Sequence, residues 1–420
     1  MSTTKKGKIG KILLSILLAI IVFWTGALVG AFAFGGSDRK IAWIMEMIER
    51  NYYEEVDPET VYSVIGKEIL DPYSDYYDPE AFAELSANRA GSRSGYGFSY
   101  YNAGNVVLFS VTGNSPAERA GLKPGMTVRA LSGDGATYTP VTAENFGTVL
   151  DSFPEGTTVF FDTDCGVFSC VKAEYTESYV VYRSDKGGYR FTGDNALELE
   201  RTEDALPLPS DTAYIRLTGF YGNAGEEMRL ALNVMKEEGK QNLILDLRSN
   251  GGGLLSVCQS IASFFLKDAE ESKPLVVTAK YKTGRRDCFY ADGNWYDDYF
   301  SAQSELFLLA DENTASASEC LIGAMMDYGT LSYDRIYLSE RNGVAKTYGK
   351  GIMQETFLYT DGSAIKLTTA TVHWPVTDSS IHGVGVVPAD GAIPVPVPFM
   401  VDVADTGLQS MLSLIRERLA

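Results

Sequence analysis

Residues 212–254 read TAYIRLTGFYGNAGEEMRLALNVMKEEGKQNLILDLRSNGGGL, and this stretch decides the fold. Thr212–Leu217 is a short strand. Ala224–Glu238 follows with Met228, Leu230, Leu232 and Met235 at helical spacing, so an amphipathic helix is expected. Asn242–Leu247 is a continuous apolar run, the pattern of a strand buried on both faces, and a glycine triplet leads into a helix over Leu254–Leu266. The order recurs downstream, where LFLLA at Leu306–Ala310 leads into a helix near Ala317–Tyr328. Strand-then-helix repetition with apolar strands predicts a layered α/β core over residues 179–400.

Ahead of that core the pattern changes twice. Residues 91–178 open on Gly95-Tyr96-Gly97-Phe98, continue through Val106-Val107-Leu108-Phe109 and SPAERAGLKPGMTVRALSG, and close on EGTTVFFDT and CGVFSCVKAEY. Strands dominate, with one short helix ending at a glycine and another near Ala143–Leu150. The segment resembles a PDZ domain, and Gly95–Phe98 stands where that family holds a peptide's terminal carboxylate on backbone N–H groups. Residues 37–90 carry apolar side chains at helical spacing, broken at Pro58 and Asp71-Pro72, and predict a small helical arm.

The N-terminus is an address. Ile12–Phe34 holds no charged residue over 23 positions, and Lys5, Lys6, Lys8 and Lys11 precede it. About 20 helical residues cross a hydrocarbon core, so residues 1–36 predict a cytoplasmic tail and a single transmembrane anchor with the rest of the chain extracytoplasmic. Cleavage after Ala31-Phe32-Ala33 would instead give a secreted protein. In all, 36 Lys and Arg face 55 Asp and Glu, a net of −19, and the four leading lysines make the remainder more acidic still. Such a surface repels phosphate backbones, so nucleic acid is not expected as a partner. Five cysteines leave at least one unpaired, and Cys165 and Cys170 either bridge a hairpin or are ordinary thiols. With two histidines and no Cys-x-x-Cys, no metal site is expected.

Two strand-to-helix junctions carry polar residues a core does not require. In Arg248-Ser249-Asn250-Gly251-Gly252-Gly253 the triplet is either a tight turn or a set of N–H groups turned toward an oxyanion. In Asn313-Thr314-Ala315-Ser316-Ala317-Ser318-Glu319 the Ser-x-x-Glu spacing reads as a capping box, while a serine at a helix start also suits a nucleophile. A nucleophilic serine needs a base. His373 and His382 lie far downstream without a local signature, and Lys350, between glycines in TYGKG, is the other candidate. Burial would lower an amine from about 10.4 towards 7–8, at 1.36 kcal/mol per unit. A solvated turn lysine is the plainer reading.

The motifs ILDPYSDYYDPEAF (69–82), the PDZ-like segment, LILDLRSNGGGLL, ENTASASE, MMDYG, KTYGKGIMQ and IKLTTATVHWPVTDSSIHGVGVVP stand in the order of the carboxyl-terminal processing (tail-specific) serine proteases, which the chain resembles from about residue 40 to 395. The resemblance implies a crotonase- or ClpP-like catalytic core preceded by a PDZ domain. Separately, Leu408, Met411, Leu412, Ile415 and Leu419 at helical spacing predict an amphipathic C-terminal helix at 401–420, packed on its own core or on a second subunit. It implies Ser316 as nucleophile, Lys350 as general base rather than the nearby Lys346, and Gln354 as the residue orienting the lysine. Oxyanion donors would be Ala317 with Gly252 or Gly253, and Gly95, Tyr96, Gly97 and Phe98 would bind substrate. Proteins or peptides with free C-termini are the implied substrates, no cofactor is implied, and some relatives form homodimers. Two departures stand out. GGG replaces the commoner Asn-Pro-Gly-Gly, and Ser316 and Lys350 are 34 positions apart, wider than the family spacing. The surplus, within Ser332–Arg341, is expected to loop out. A homologue in which that loop parts serine from lysine would be a catalytically silent peptide- or ligand-binding module, and acyl-CoA chemistry is a weaker third reading because no phosphate pocket is evident.

Overall fold

The computed structural model describes residues 43–47, 56–102, 104–267, 273–397 and 405–419. The charge-free run 12–34 and its leading lysines lie outside the described residues. Among the described residues no helix is long and apolar enough to cross a membrane. The chain divides into two compact units, Met1–Tyr76 and Tyr77–Ala420.

In the smaller unit, α1 (Pro58–Glu68) starts where the sequence says it should. Asp57 accepts the Glu59 N–H and Pro58 occupies the first turn, where its missing N–H costs nothing. Tyr76 lies edge-on to Tyr62 at 5.6 Å and donates its hydroxyl to Glu59 at 2.8 Å.

The larger unit opens with α2 (Pro79–Arg89), capped by Asp78 in the same way. Strands β1 (Phe98–Asn102), β2 (Val106–Val111), β3 (Thr127–Ser132), β4 (Thr158–Thr163) and β5 (Gly166–Val171) pair antiparallel in that order. Helices α3 (Pro116–Arg119) and α4 (Phe146–Asp151) accompany this sheet, and its core is Leu108, Leu122, Leu131, Phe146, Val159 and Phe161. A separate ribbon pairs Ser92–Gly95 with Ala173–Thr176, so the chain leaves this region beside the point where it entered.

From there the elements are β6 (Val180–Ser184), β7 (Gly187–Thr192), β8 (Glu198–Thr202), β9 (Thr212–Leu217), α5 (Ala224–Glu237), β10 (Asn242–Asp246), α6 (Leu255–Ala262), β11 (Leu275–Tyr281), β12 (Arg286–Tyr290), β13 (Leu306–Ala310), α7 (Ala317–Asp327), β14 (Ile336–Glu340), β15 (Ile352–Leu358), β16 (Ala364–His373), β17 (Ile393–Pro396) and α8 (Thr406–Leu419). Eight strands form the main sheet in the order β8-β7-β6-β9-β10-β13-β14-β17, and every pairing from β9 to β17 is parallel. Helices α5, α6 and α7 cover one face through Met228, Leu232, Ile261, Leu321 and Met325. On the other face α8 lays Leu408, Met411, Leu412 and Ile415 over Ile244, Phe307, Leu309 and Tyr337, so the C-terminal helix packs on its own core. All ten residues of β10 and β13 are therefore buried, which is why they read as unbroken apolar runs. A second sheet, β15-β16-β11-β12, packs Val276 and Val277 into the helical layer.

Two expectations are settled here. All five cysteines are free thiols. The residues between Ser332 and Arg341 do not loop out: Tyr333–Arg335 makes a 3-10 turn and Ile336–Glu340 is β14, inside the main sheet between β13 and β17. Burial of Ile336, Tyr337 and Leu338, at ~1.5–3 kcal/mol for a large apolar side chain, favours the strand over a solvated loop.

Candidate active site

Strands β10 and β13 are parallel neighbours, with Asp246 opposite Leu309, so the loops leaving their carboxyl ends emerge side by side. One loop carries the glycine triplet and the other carries Ser316. Asn250, fully buried, joins them. Its side-chain oxygen accepts the Gly252 N–H at 2.9 Å and its amide donates to the Leu217 carbonyl. Its backbone carbonyl accepts the Ser318 hydroxyl at 2.9 Å and the Ala315 N–H at 3.0 Å.

Gly252 must be glycine. Its φ is +98°, and an added Cβ would lie 2.7 Å from the Ala315 carbonyl oxygen and 2.8 Å from both Ala317 N and Ser316 Cβ. The triplet is thus pressed against the serine turn. Because the Gly252 N–H is turned into Asn250, it does not face the serine as a free donor. Ala317 is the first helical residue of α7, a position whose N–H has no partner within the helix. Among the described residues neither Ala317 nor Gly253 gives its N–H to another group.

Ser316 adopts φ 59° and ψ −115°. An ordinary N-cap is extended, and this conformation is strained for a residue with a Cβ, by about 1–3 kcal/mol. Within Thr314–Met325 only Ser316 keeps partial exposure. The Ser-x-x-Glu spacing is half a cap in fact, since Glu319 accepts the Ser316 N–H at 3.0 Å.

Glu319, 1% exposed, then does more than cap. The same oxygen, Oε2, accepts the Lys350 N–H at 2.8 Å, and Oε1 accepts the Thr347 hydroxyl at 2.6 Å and the Gly349 N–H at 2.8 Å. Two backbone nitrogens sharing one acceptor lie within about 6 Å of each other. The serine and lysine backbones therefore meet, despite 34 positions of sequence. Tyr348 N–H to the Thr314 carbonyl, 2.9 Å, is a second stitch between the same loops. Burial pushes the Glu319 pKa above the ordinary carboxylate value, while the four donors pull against that rise.

The glycines flanking Lys350 have a packing cause. A Cβ on Gly349 would meet Gly385 N at 2.9 Å, and one on Gly351 would meet His382 N at 2.8 Å. Residues 380–385 therefore lie directly against the lysine loop, and Gly383 N–H closes onto the Gly349 carbonyl. Lys350 is half-buried. Gln354, on β15, donates its amide to Thr368 Oγ1 of β16 at 3.1 Å. Of the histidines, His373 has both ring nitrogens engaged, by Thr371 Oγ1 and the Asp378 carbonyl, and His382 is exposed.

Sequence reasoning missed the support beneath the triplet. Arg248 holds Asp246 through Nε and Nη2, and its Nη1 and Nη2 reach Asp405 at 2.9 Å each, where Asp405 also accepts the Leu408 N–H at the start of α8. Against the opposing effect of burial, Arg248 holds Asp246 below the usual carboxylate range. Nothing in the sequence around Arg248 points to residue 405.

The remaining predicted residues lie elsewhere. Gly95, Tyr96, Gly97 and Phe98 line a cavity of about 420 Å³ shared with Arg93, Leu150 and Glu177. Gly97, at φ +83°, is pressed so closely to Ser115 that no side chain fits.

Comparison with known proteins agrees with this arrangement. Residues 211–390 match the family described as Peptidase family S41. The chain is 28% identical over 359 residues to a carboxyl-terminal-processing protease of Synechocystis sp., covering 82% of this chain and 74% of that one. It is 28% identical over 351 residues to the chloroplastic carboxyl-terminal-processing peptidase 2 of Arabidopsis thaliana, covering 81% of this chain and 62% of the relative. A solved structure from Bacteroides fragilis assigned to the S41 proteases shares the fold, with a TM-score of 0.58 at 16% identity over 87% of this chain and 91% of that one. The resemblance carried by the seven motifs is matched by these comparisons: residues 211–390 fit Peptidase family S41, and most of the chain is similar to carboxyl-terminal-processing proteases.

Proposed function

We propose that the protein is a membrane-tethered, extracytoplasmic endopeptidase that takes protein substrates by their C-termini and cleaves them with a Ser316–Lys350 dyad. The observation that carries this reading is the single oxygen of Glu319 that accepts both the Ser316 and the Lys350 N–H. Neutral Lys350 takes the hydroxyl proton as Ser316 Oγ attacks the scissile carbonyl. The tetrahedral oxyanion is received by the N–H groups of Ala317 and Gly253, near the positive end of α7. Collapse expels the new amine, protonated by Lys350, and leaves an acyl-enzyme. Water, activated by the same lysine, hydrolyses that ester. Gln354 orients the lysine loop from β15.

The cavity beside Gly95–Phe98 serves as a PDZ-type groove for the substrate's end. Among the described residues the N–H groups of Tyr96 and Gly97 have no acceptor, which suits a carboxylate. Membrane tethering rests on the charge-free run 12–34 behind four lysines. The test is direct. Ser316→Ala and Lys350→Ala each abolish cleavage of a peptide with a free apolar C-terminus, and a fluorophosphonate labels the parent but not Ser316→Ala. Full activity in either variant refutes the dyad.

A further inference from the structure

The groove that receives the substrate's end already holds a carboxylate. Glu177 lines the same cavity as Gly95, Tyr96, Gly97 and Phe98, and its Oε2 accepts Arg93 Nε at 2.6 Å and the Tyr179 hydroxyl at 2.9 Å. Arg93 lies two residues before the glycine loop, on the ribbon that borders it. The pair is half-shielded, with 31% of the arginine and 16% of the glutamate side chain exposed. Among the described residues Arg93 is the one cation lining this cavity. An incoming α-carboxylate seated on the Tyr96 and Gly97 N–H groups would therefore have one cation within the cavity to meet, and that cation has an internal partner.

We propose that Glu177 is a built-in competitor for the substrate's terminal carboxylate at Arg93. The inference rests on the groove reading given above and deepens it, since it makes a free α-carboxylate the feature that Arg93 selects. Glu177 stands at the end of the ribbon that borders the groove, its N–H given to the Gly91 carbonyl at 2.8 Å. It is the residue from which the chain passes into the catalytic core. The next residue, Ser178, gives its N–H to Gly113, adjacent to Thr112 of the groove wall. Ser178, Tyr179 and Val180 are then gripped together by Glu227 of α5, which accepts the Ser178 hydroxyl and the N–H groups of Tyr179 and Val180 at 2.8–3.1 Å. Displacement of Glu177 by substrate thus acts on the segment joining groove and core. A C-terminal amide carries no charge to displace it.

The experiment uses the full chain in detergent with Ser316→Ala to prevent turnover. The probes are a fluorescent apolar decapeptide ending in a free carboxylate and the same peptide ending in an amide, with binding read by anisotropy. The parent binds the acid more tightly than the amide. Adding Glu177→Gln tightens the acid about threefold, the scale of a partly exposed ion pair, and leaves the amide unchanged. Adding Arg93→Gln erases the difference between acid and amide. A merely structural pair would move both peptides together, so equal shifts, or none, in Glu177→Gln overturn the competitor while acid preference in the parent still upholds the groove. Equal binding of acid and amide by the parent overturns the groove reading, and the competitor with it.

Discussion

Replacing Glu319 separates what the site needs from what the fold needs. Its two oxygens accept four donors, Ser316 N–H and Lys350 N–H on Oε2, Thr347 hydroxyl and Gly349 N–H on Oε1. Glutamine has one acceptor atom. With its oxygen placed at Oε2, the Ser316 and Lys350 backbones stay tied, and the Thr347 hydroxyl can rotate to accept from the new NH2 group. The Gly349 N–H then loses its acceptor, at about 1–3 kcal/mol for one buried donor, and the Thr347 hydroxyl, which also accepts the Val386 N–H, must turn its proton away from residue 319. Alanine strands all four donors and leaves a cavity, so a loss of about 3–5 kcal/mol is expected. Activity should follow the same order. Glu319→Gln retains about a tenth of kcat/KM, equivalent to ~1.4 kcal/mol, whereas Glu319→Ala falls more than a hundredfold. Urea melts supply the stability difference, and peptide cleavage at saturating and limiting substrate supplies kcat and KM. Because the carboxylate touches neighbours of the reacting atoms rather than substrate, the deficit appears in kcat. If glutamine and alanine variants are equally active, the tether does not position the dyad and the reasoning is wrong.

Three further outcomes can be stated from the geometry. Gly252→Ala, forced to φ +98° against the serine turn, should lose activity and at least ~2 kcal/mol of stability, whereas Gly251→Ala, whose Cβ meets nothing within 4 Å, should resemble the parent in both cleavage and melting. Glu227, with one oxygen taking three donors and the other buried without a partner, is pushed up to about 8 by burial, against an ordinary value of 4.5. Between those values the folded chain keeps a proton that the unfolded chain has lost, so this group makes stability fall as pH rises through that window, by up to 1.36 kcal/mol per unit. Urea titrations at pH 5.5 and 7.5 should show a drop of about 1–2.5 kcal/mol that Glu227→Gln removes, and an unchanged slope in the variant would refute the assignment. Asp405→Ala leaves Arg248 with Asp246 alone and uncaps α8, so a loss of about 1–3 kcal/mol in urea melts is expected, with parental stability as the contrary result.

Much of this was readable in advance because burial writes itself into sequence. Strands β9, β10 and β13 read as apolar runs since both their faces are covered, and helices α5, α6 and α7 followed from their spacing. The second sheet was not read. Its strands β15 and β16 are mostly half-exposed and carry Thr at four positions, so period-two alternation is blurred. Counting residues against a family spacing turns strand β14 into a loop, whereas the local signal does not. That signal was present: Ile336-Tyr337-Leu338 precedes Asn342-Gly343, a turn dipeptide whose residues both have positive φ here, and Arg341 bridges Val344 across it. The long-range contacts of Asn250, Glu319 and Arg248 were beyond reach, because they join residues 28 to 157 positions apart that no periodicity links.

The same strand resolves the apparent conflict between a widened spacing and the proposed dyad. In a parallel sheet every strand ends at the same edge, so β10, β13 and β14, as consecutive neighbours, deliver their following loops to one place. The loop after β10 brings the glycine triplet, the loop after β13 brings Ser316, and the chain after β14 turns at Asn342-Gly343 and returns through Thr347 and Tyr348 to Lys350. A surplus that looped out would have left the lysine loop to find the serine by chance. A surplus absorbed as a buried strand fixes where that loop begins, and Glu319 and Thr314 then need only span the last few ångströms. The wider spacing is therefore the length of chain that this topology requires to carry an amine to the serine's edge of the sheet.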